Sequence, residues 1–89
     1  MSNANMHVFT TKEIIDKSLL ITNVVHDHEG DWQFFSKDEE PSEENGRIVS
    51  LGEILEMDST IDEILWLPKG MEAWRNSSGD KWITAVYSP

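Results

Sequence analysis

Apolar residues come in short runs separated by polar punctuation, and the period within each run predicts its element. Met6 to Phe9 is short and apolar enough for a strand. Thr10-Thr11-Lys12-Glu13 follows as a helix start. Thr10 and Glu13 stand at capping-box spacing, where the hydroxyl accepts from one backbone N–H and the carboxylate reaches back to another. Ile14, Ile15 and Ser18 then fit about two helical turns. Leu19 to His26 is rich in β-branched residues and reads as a strand, with Trp32 to Phe35 as its partner. Between them, Asp27-His28-Glu29-Gly30-Asp31 is a turn in which Gly30 can take a positive φ without penalty. Trp32 and Phe34, two apart on a strand, share a face and are predicted to pack into the core.

Ser36 to Gly46 has no apolar period, contains Pro41, and is expected to be an exposed loop. Arg47-Ile48-Val49 is a short strand candidate. Ser50 and Glu53 repeat the capping box ahead of Leu51, Ile54 and Leu55, and Thr60 and Glu63 repeat it ahead of Ile61, Ile64 and Leu65. Pro68 ends that last segment because it cannot donate to a continuing helix. Met71 to Arg75 and Lys81 to Tyr87 read as a hairpin around Asn76 to Asp80. Together these elements predict an α+β fold: a small antiparallel sheet of about five short strands with two or three short helices.

The 89 residues fit one domain with one core. Ser2-Asn3-Ala4 looks like a vector remnant, so residues 1–5 are set aside as a vector-derived or disordered start and 6–89 taken as the single domain. In so short a chain the four tryptophans, Trp32, Trp66, Trp74 and Trp82, matter most as bracing for the core, with a contact surface as the alternative. With no cysteine there is neither a disulfide framework nor a thiolate metal site, and a reducing cytoplasm is the expected compartment. No basic start followed by an apolar run marks a signal segment, and no apolar stretch is long enough to span a membrane.

Charge changes the picture more than composition does. The net charge is −10, and thirteen of the seventeen acids but only two of the seven bases fall between His26 and Glu63. Such a field repels nucleic acid and anionic membrane and favours a basic protein partner, the alternative being that it serves solubility alone. Five acids crowd one short stretch: Asp38, Glu39, Glu40, Glu43 and Glu44 are the partner-binding candidates. They are expected to form an extended, exposed loop.

Candidate chemistry is sparse. His26 and His28, two apart on an extended strand, would present both rings to one face at a spacing that can hold zinc or nickel. A full ligand set would need the distant His7 or a carboxylate, so no metal or other cofactor is expected. The acidic turn does not fit a calcium-binding EF-hand loop, because Gly30 falls at the fourth position from Asp27 rather than the sixth. No serine stands in a nucleophile elbow or a Ser-x-x-Lys context, no cysteine exists, and no phosphate loop is present; no catalytic residue is assigned.

Three segments carry a resemblance: His26 to Phe34, Val49-Ser50-Leu51-Gly52-Glu53, and Leu67-Pro68-Lys69-Gly70-Met71-Glu72-Ala73-Trp74-Arg75. Together they resemble a group of short bacterial proteins in which an acidic turn runs into Trp-Gln-Phe and a late Leu-Pro-x-Gly precedes Trp-Arg. More distantly the layout is similar to the domain family that includes the immunity protein thirty-three class of bacterial toxin systems. That likeness implies a noncatalytic domain that neutralises a toxin by binding it. The leading expectation is therefore an interaction domain that turns its acidic middle toward a basic partner. Its rivals are a small metal-dependent or enzymatic module centred on His26 and His28, and a domain of no separable activity.

Overall fold

The computed structural model of the chain describes residues 4–39 and 42–88, with the side chain of Glu43 outside that description. In chain order the elements are β1 (His7–Thr11), α1 (Lys12–Lys17), β2 (Asn23–His26), β3 (Trp32–Phe35), β4 (Gly46–Ser50), α2 (Leu51–Met57), β5 (Met71–Trp74) and β6 (Ile83–Val86). Short 3-10 helices cover Glu43–Asn45 and Ser59–Ile64. The strands form one six-stranded sheet in the order β4-β1-β3-β2-β5-β6. Each of the six strands overlaps a segment read as a strand from the sequence, one more than the total of about five, but the sheet is mixed rather than antiparallel, because β1 runs parallel to β3 with Phe9 opposite Gln33. Every other pairing is antiparallel.

Several local signals act where the sequence places them. Ser50 caps α2 by accepting from the Glu53 N–H, and Gly30 takes φ 93° in the β2–β3 turn. Others shift by a residue or two. Thr11 rather than Thr10 caps α1, accepting from the Ile14 N–H at 3.3 Å. Thr10 stays in β1, where its hydroxyl donates to the Phe34 carbonyl at 3.1 Å across the parallel pair. Thr60 is likewise displaced as a cap, because the Asp58 carboxylate, two residues earlier, takes the Thr60 N–H at 3.0 Å. The segment that follows is 3-10 rather than α-helical. The strand expected from Leu19 is confined to Asn23–His26, Ile21 being a core residue ahead of it.

Strand alternation sorts the sheet into two faces. Val8, Val24, Trp32, Phe34 and Ala73 point one way and are buried with Ile14 of α1, Leu51 and Ile54 of α2, and Ile61, Ile64 and Leu67 of the following segment. Both α-helices therefore lie on one side of the sheet, and their apolar stripes close the core there. Trp32 and Phe34 share that face as predicted, with rings 6.3 Å apart. Of the other tryptophans, Trp82 is partly buried against the core and Trp74 is half-buried on the opposite face, while Trp66 is 66% exposed. No helix among the described residues is long and apolar enough to cross a membrane.

Candidate functional site

Each of the first five strands carries an apolar pair of neighbours: Val8-Phe9, Val24-Val25, Phe34-Phe35, Ile48-Val49 and Ala73-Trp74. Adjacent strand residues point to opposite faces, so each pair puts one apolar side chain on the helix side and one on the other. The register agrees: Phe9 stands opposite Ile48 and Gln33, Val25 opposite Gln33 and Glu72, and Trp74 opposite Asn23 and Ile83. Neither α-helix covers this second face. Phe9 is 40%, Ile48 63% and Ile83 52% exposed.

The face is not flat. Over β1 and β3 it sinks into an open hollow of about 550 Å³ whose lining includes Phe9, Phe35, Gln33 and Gly46, with Asp27 and Asp31 at one end. The β2–β3 turn fixes Asp27 there. One oxygen of its carboxylate accepts from the Glu29 and Asp31 N–H groups at 3.0 and 2.9 Å, and the other accepts from the Gln33 amide at 3.0 Å. Partial burial works against the charge. The bonds donated by Asp31, Gln33, Glu29 and Gly30 outweigh it and hold the carboxyl below its ordinary value of 3.8. Asp27 is thus a positioned, ionised acceptor at the end of an apolar floor.

The histidines are placed apart. The strand ends at His26, so the shared face that the i, i+2 spacing implied does not extend to His28. His26 stacks on Trp32 at 4.0 Å, and its Nδ1–H donates to the Leu67 carbonyl at 2.7 Å. His28 lies in the turn, donating from Nε2 to the Tyr87 carbonyl at 3.2 Å. Its ring packs so closely on Gly70 that an added Cβ there would sit 2.9 Å from it. Both rings tie the β2–β3 hairpin to the segment around β5 and β6. No group of three or more His, Asp or Glu side chains that could hold a metal ion occurs among the described residues.

The acidic stretch is less uniform than its sequence implied. Ser36 is buried, and Ser36 to Glu39 closes a turn in which the Ser36 N–H donates to one Glu39 carboxylate oxygen at 2.9 Å and the Asp38 N–H to the Ser36 hydroxyl at 3.2 Å. Glu39 is therefore folded back rather than extended into solvent, because its carboxylate has a local backbone donor. Asp38 and Glu44 are exposed, Glu43 begins a 3-10 turn, and Glu40 lies outside the described residues.

One further charged cluster belongs to the architecture. Arg75, with its side chain fully buried, pairs with Asp58 at 2.7 Å, donates to Thr60 Oγ1 at 2.7 Å and to the Ile21 carbonyl at 3.0 and 3.1 Å, and lies 4.1 Å from the centre of the Trp82 ring. This is the one ion pair within 4.0 Å among the described residues. The sequence reading missed Arg75 and the hollow alike; the apolar doublets were the signal that could have revealed the second face. No family model, curated protein or solved structure matches the chain.

Proposed function

We propose that the chain is a noncatalytic interaction domain that presents its acidic surface to a basic protein partner, with toxin neutralisation as one instance. The observation that carries this reading is how little of the charge excess is neutralised internally. The net charge is −10, and among the described residues the only close ion pair is the buried one between Asp58 and Arg75. The exposed carboxylates of Glu29, Asp31, Asp38, Glu44, Glu53, Glu56, Asp62 and Glu63 outnumber the exposed bases Lys37, Arg47 and Lys69 among them and project a net negative field that accelerates encounter with a cationic surface.

The test is association kinetics with a basic partner captured from the native host, at low and high salt, for the parent chain and for a variant with Asp38→Lys and Glu44→Lys. Glu39 stays unchanged because it holds the turn. The expected result is a slower association rate for the variant, with the difference shrinking as salt screens both forms. A rate indifferent to charge reversal and to salt would reduce the acidity to a solubility device.

A further inference from the structure

The docking surface for such a partner is better defined by the uncovered sheet face than by the acidic loop. We infer that the hollow over β1 and β3 receives a cationic, partly apolar segment of the partner, an arginine or lysine lying with its alkyl stem along Phe9 and Phe35 and its charged end at Asp27 and Asp31. This rests on the interaction-domain reading and names the place and the chemistry of the contact.

Three observations converge on it. Each of the first five strands gives this face an apolar side chain, with Phe9, Phe35, Ile48 and Trp74 partly or well exposed among the polar Asn23, Gln33 and Glu72, and neither α-helix covers it. Exposed apolar area of this kind on a small domain is the ordinary mark of a contact surface. The hollow is also chemically two-ended, with phenyl rings along its floor and two carboxylates at one end, which matches a long side chain that is apolar along its stem and charged at its tip. Finally, the Asp27 carboxylate is already aimed and immobilised by two backbone N–H groups and the Gln33 amide. An incoming cation meets an acceptor whose ordering cost has been met within the turn. Lys69 runs along the turn, its Cε and Nζ 3.1 and 3.6 Å from where a Cβ on Gly30 would sit, and forms no ion pair with Asp27 or Asp31 within 4.0 Å.

Charge also selects among occupants. A second copy would bring the same carboxylate rim and another −10 against this face, whereas a cationic segment is attracted by both. The face is thus complementary to a basic chain rather than to itself.

Three synthetic peptides of equal length provide the test: arginine alternating with leucine, arginine with serine, and glutamate with leucine. Each is titrated into the isotopically labelled protein while backbone amide shifts are followed. The expected result is saturable change at Phe9, Gln33 and Phe35 with the arginine–leucine peptide, binding about tenfold more tightly than either control. Asp31→Lys, at an exposed position outside the hydrogen-bonded turn carboxylate, should weaken that peptide about tenfold without altering the dispersed spectrum of the folded protein. Equal binding by the arginine–serine peptide with shifts at Asp38 and Glu44 would overturn the surface assignment while leaving the acidic-field reading standing. Absence of binding by both arginine peptides would sink both. Concentration-dependent shifts at Phe9 and Ile48 without any peptide would assign the face to a second copy and overturn the inference.

Discussion

On its helix side the sheet meets α1, α2 and the Ser59–Ile64 turn, and Val8, Val24, Trp32, Phe34 and Ala73 there are almost wholly inaccessible; on the other side Val25 is buried but Phe9, Phe35, Ile48 and Trp74 stand half-buried or exposed. The difference does not come from the apolar doublets, which supply both faces, although the second also carries Asn23, Gln33 and Glu72. It comes from the connections. The helices after β1 and β4 both carry their apolar stripes to the same face, so that face acquires a core and the other acquires only a floor. Identical side chains therefore have different physical meanings one residue apart: on one face they hold the fold together, and on the other they are free to hold something else.

Phe34 and Phe35 put this contrast at its sharpest. Phe34→Ala empties a site of 0% exposure and should cost about 3–5 kcal/mol, enough to threaten folding of so small a domain. Phe35→Ala, on the half-buried face, should cost about 1 kcal/mol. Urea unfolding of both variants checks the pair, and equal losses would mean that the two faces are energetically alike.

Arg75 is the polar counterpart on the helix side. Arg75→Ala strands the Asp58 carboxylate and the Ile21 carbonyl and should cost about 3 kcal/mol. Thr10→Val, which removes the donor to the Phe34 carbonyl across the parallel pair, should cost about 1–2 kcal/mol.

At the rim of the open face, Asp27 supplies a pH signature. Its folded carboxyl titrates below the ordinary value of 3.8, so its contribution to stability is fully present above that value and is lost as pH falls through the lower folded one. The stability gap between the parent and Asp27→Ala should therefore hold steady at neutral pH and close on acidification below 3.8; a gap that widened would contradict the hydrogen-bond account. Smallest of all, Ile48→Ser at 63% exposure should change stability by no more than about 0.5 kcal/mol.

What the sequence disclosed follows from how far each signal reaches. Ser50, Gly30 and the Trp32–Phe34 alternation act within a few residues, and the elements they predict are present. Thr10 and Thr11 are chemically the same; which of them caps α1 is decided by the pairing of β1 with β3, a contact between residues far apart in the chain. Thr60 lost its role to Asp58 because the carboxylate two residues upstream caps the 3-10 turn, taking the N–H of Thr60 and also its hydroxyl. The insertion of β1 between β3 and β4 leaves no local trace, and with it went the mixed character of the sheet. For the candidate site, counting acids identified the charged region but not its shape: Glu39 turned inward, while Asp27, read only as part of a turn, became the fixed end of the hollow.

The parallel seam between β1 and β3 has a consequence for how the molecule opens. Within the sheet, β4 is bonded only to β1, and β1 reaches the remaining four strands only through β3. The sheet is therefore two ribbons, β4-β1 and β3-β2-β5-β6, joined along one line that Thr10 reinforces. Partial unfolding should follow that line, releasing the first-made strand and β4 as one cooperative unit whose amides exchange with solvent together, while the hairpins β2–β3 and β5–β6, closed by nearby residues, persist longer. Because the hollow straddles the line, a segment seated in it would bridge the two ribbons and slow the exchange of both.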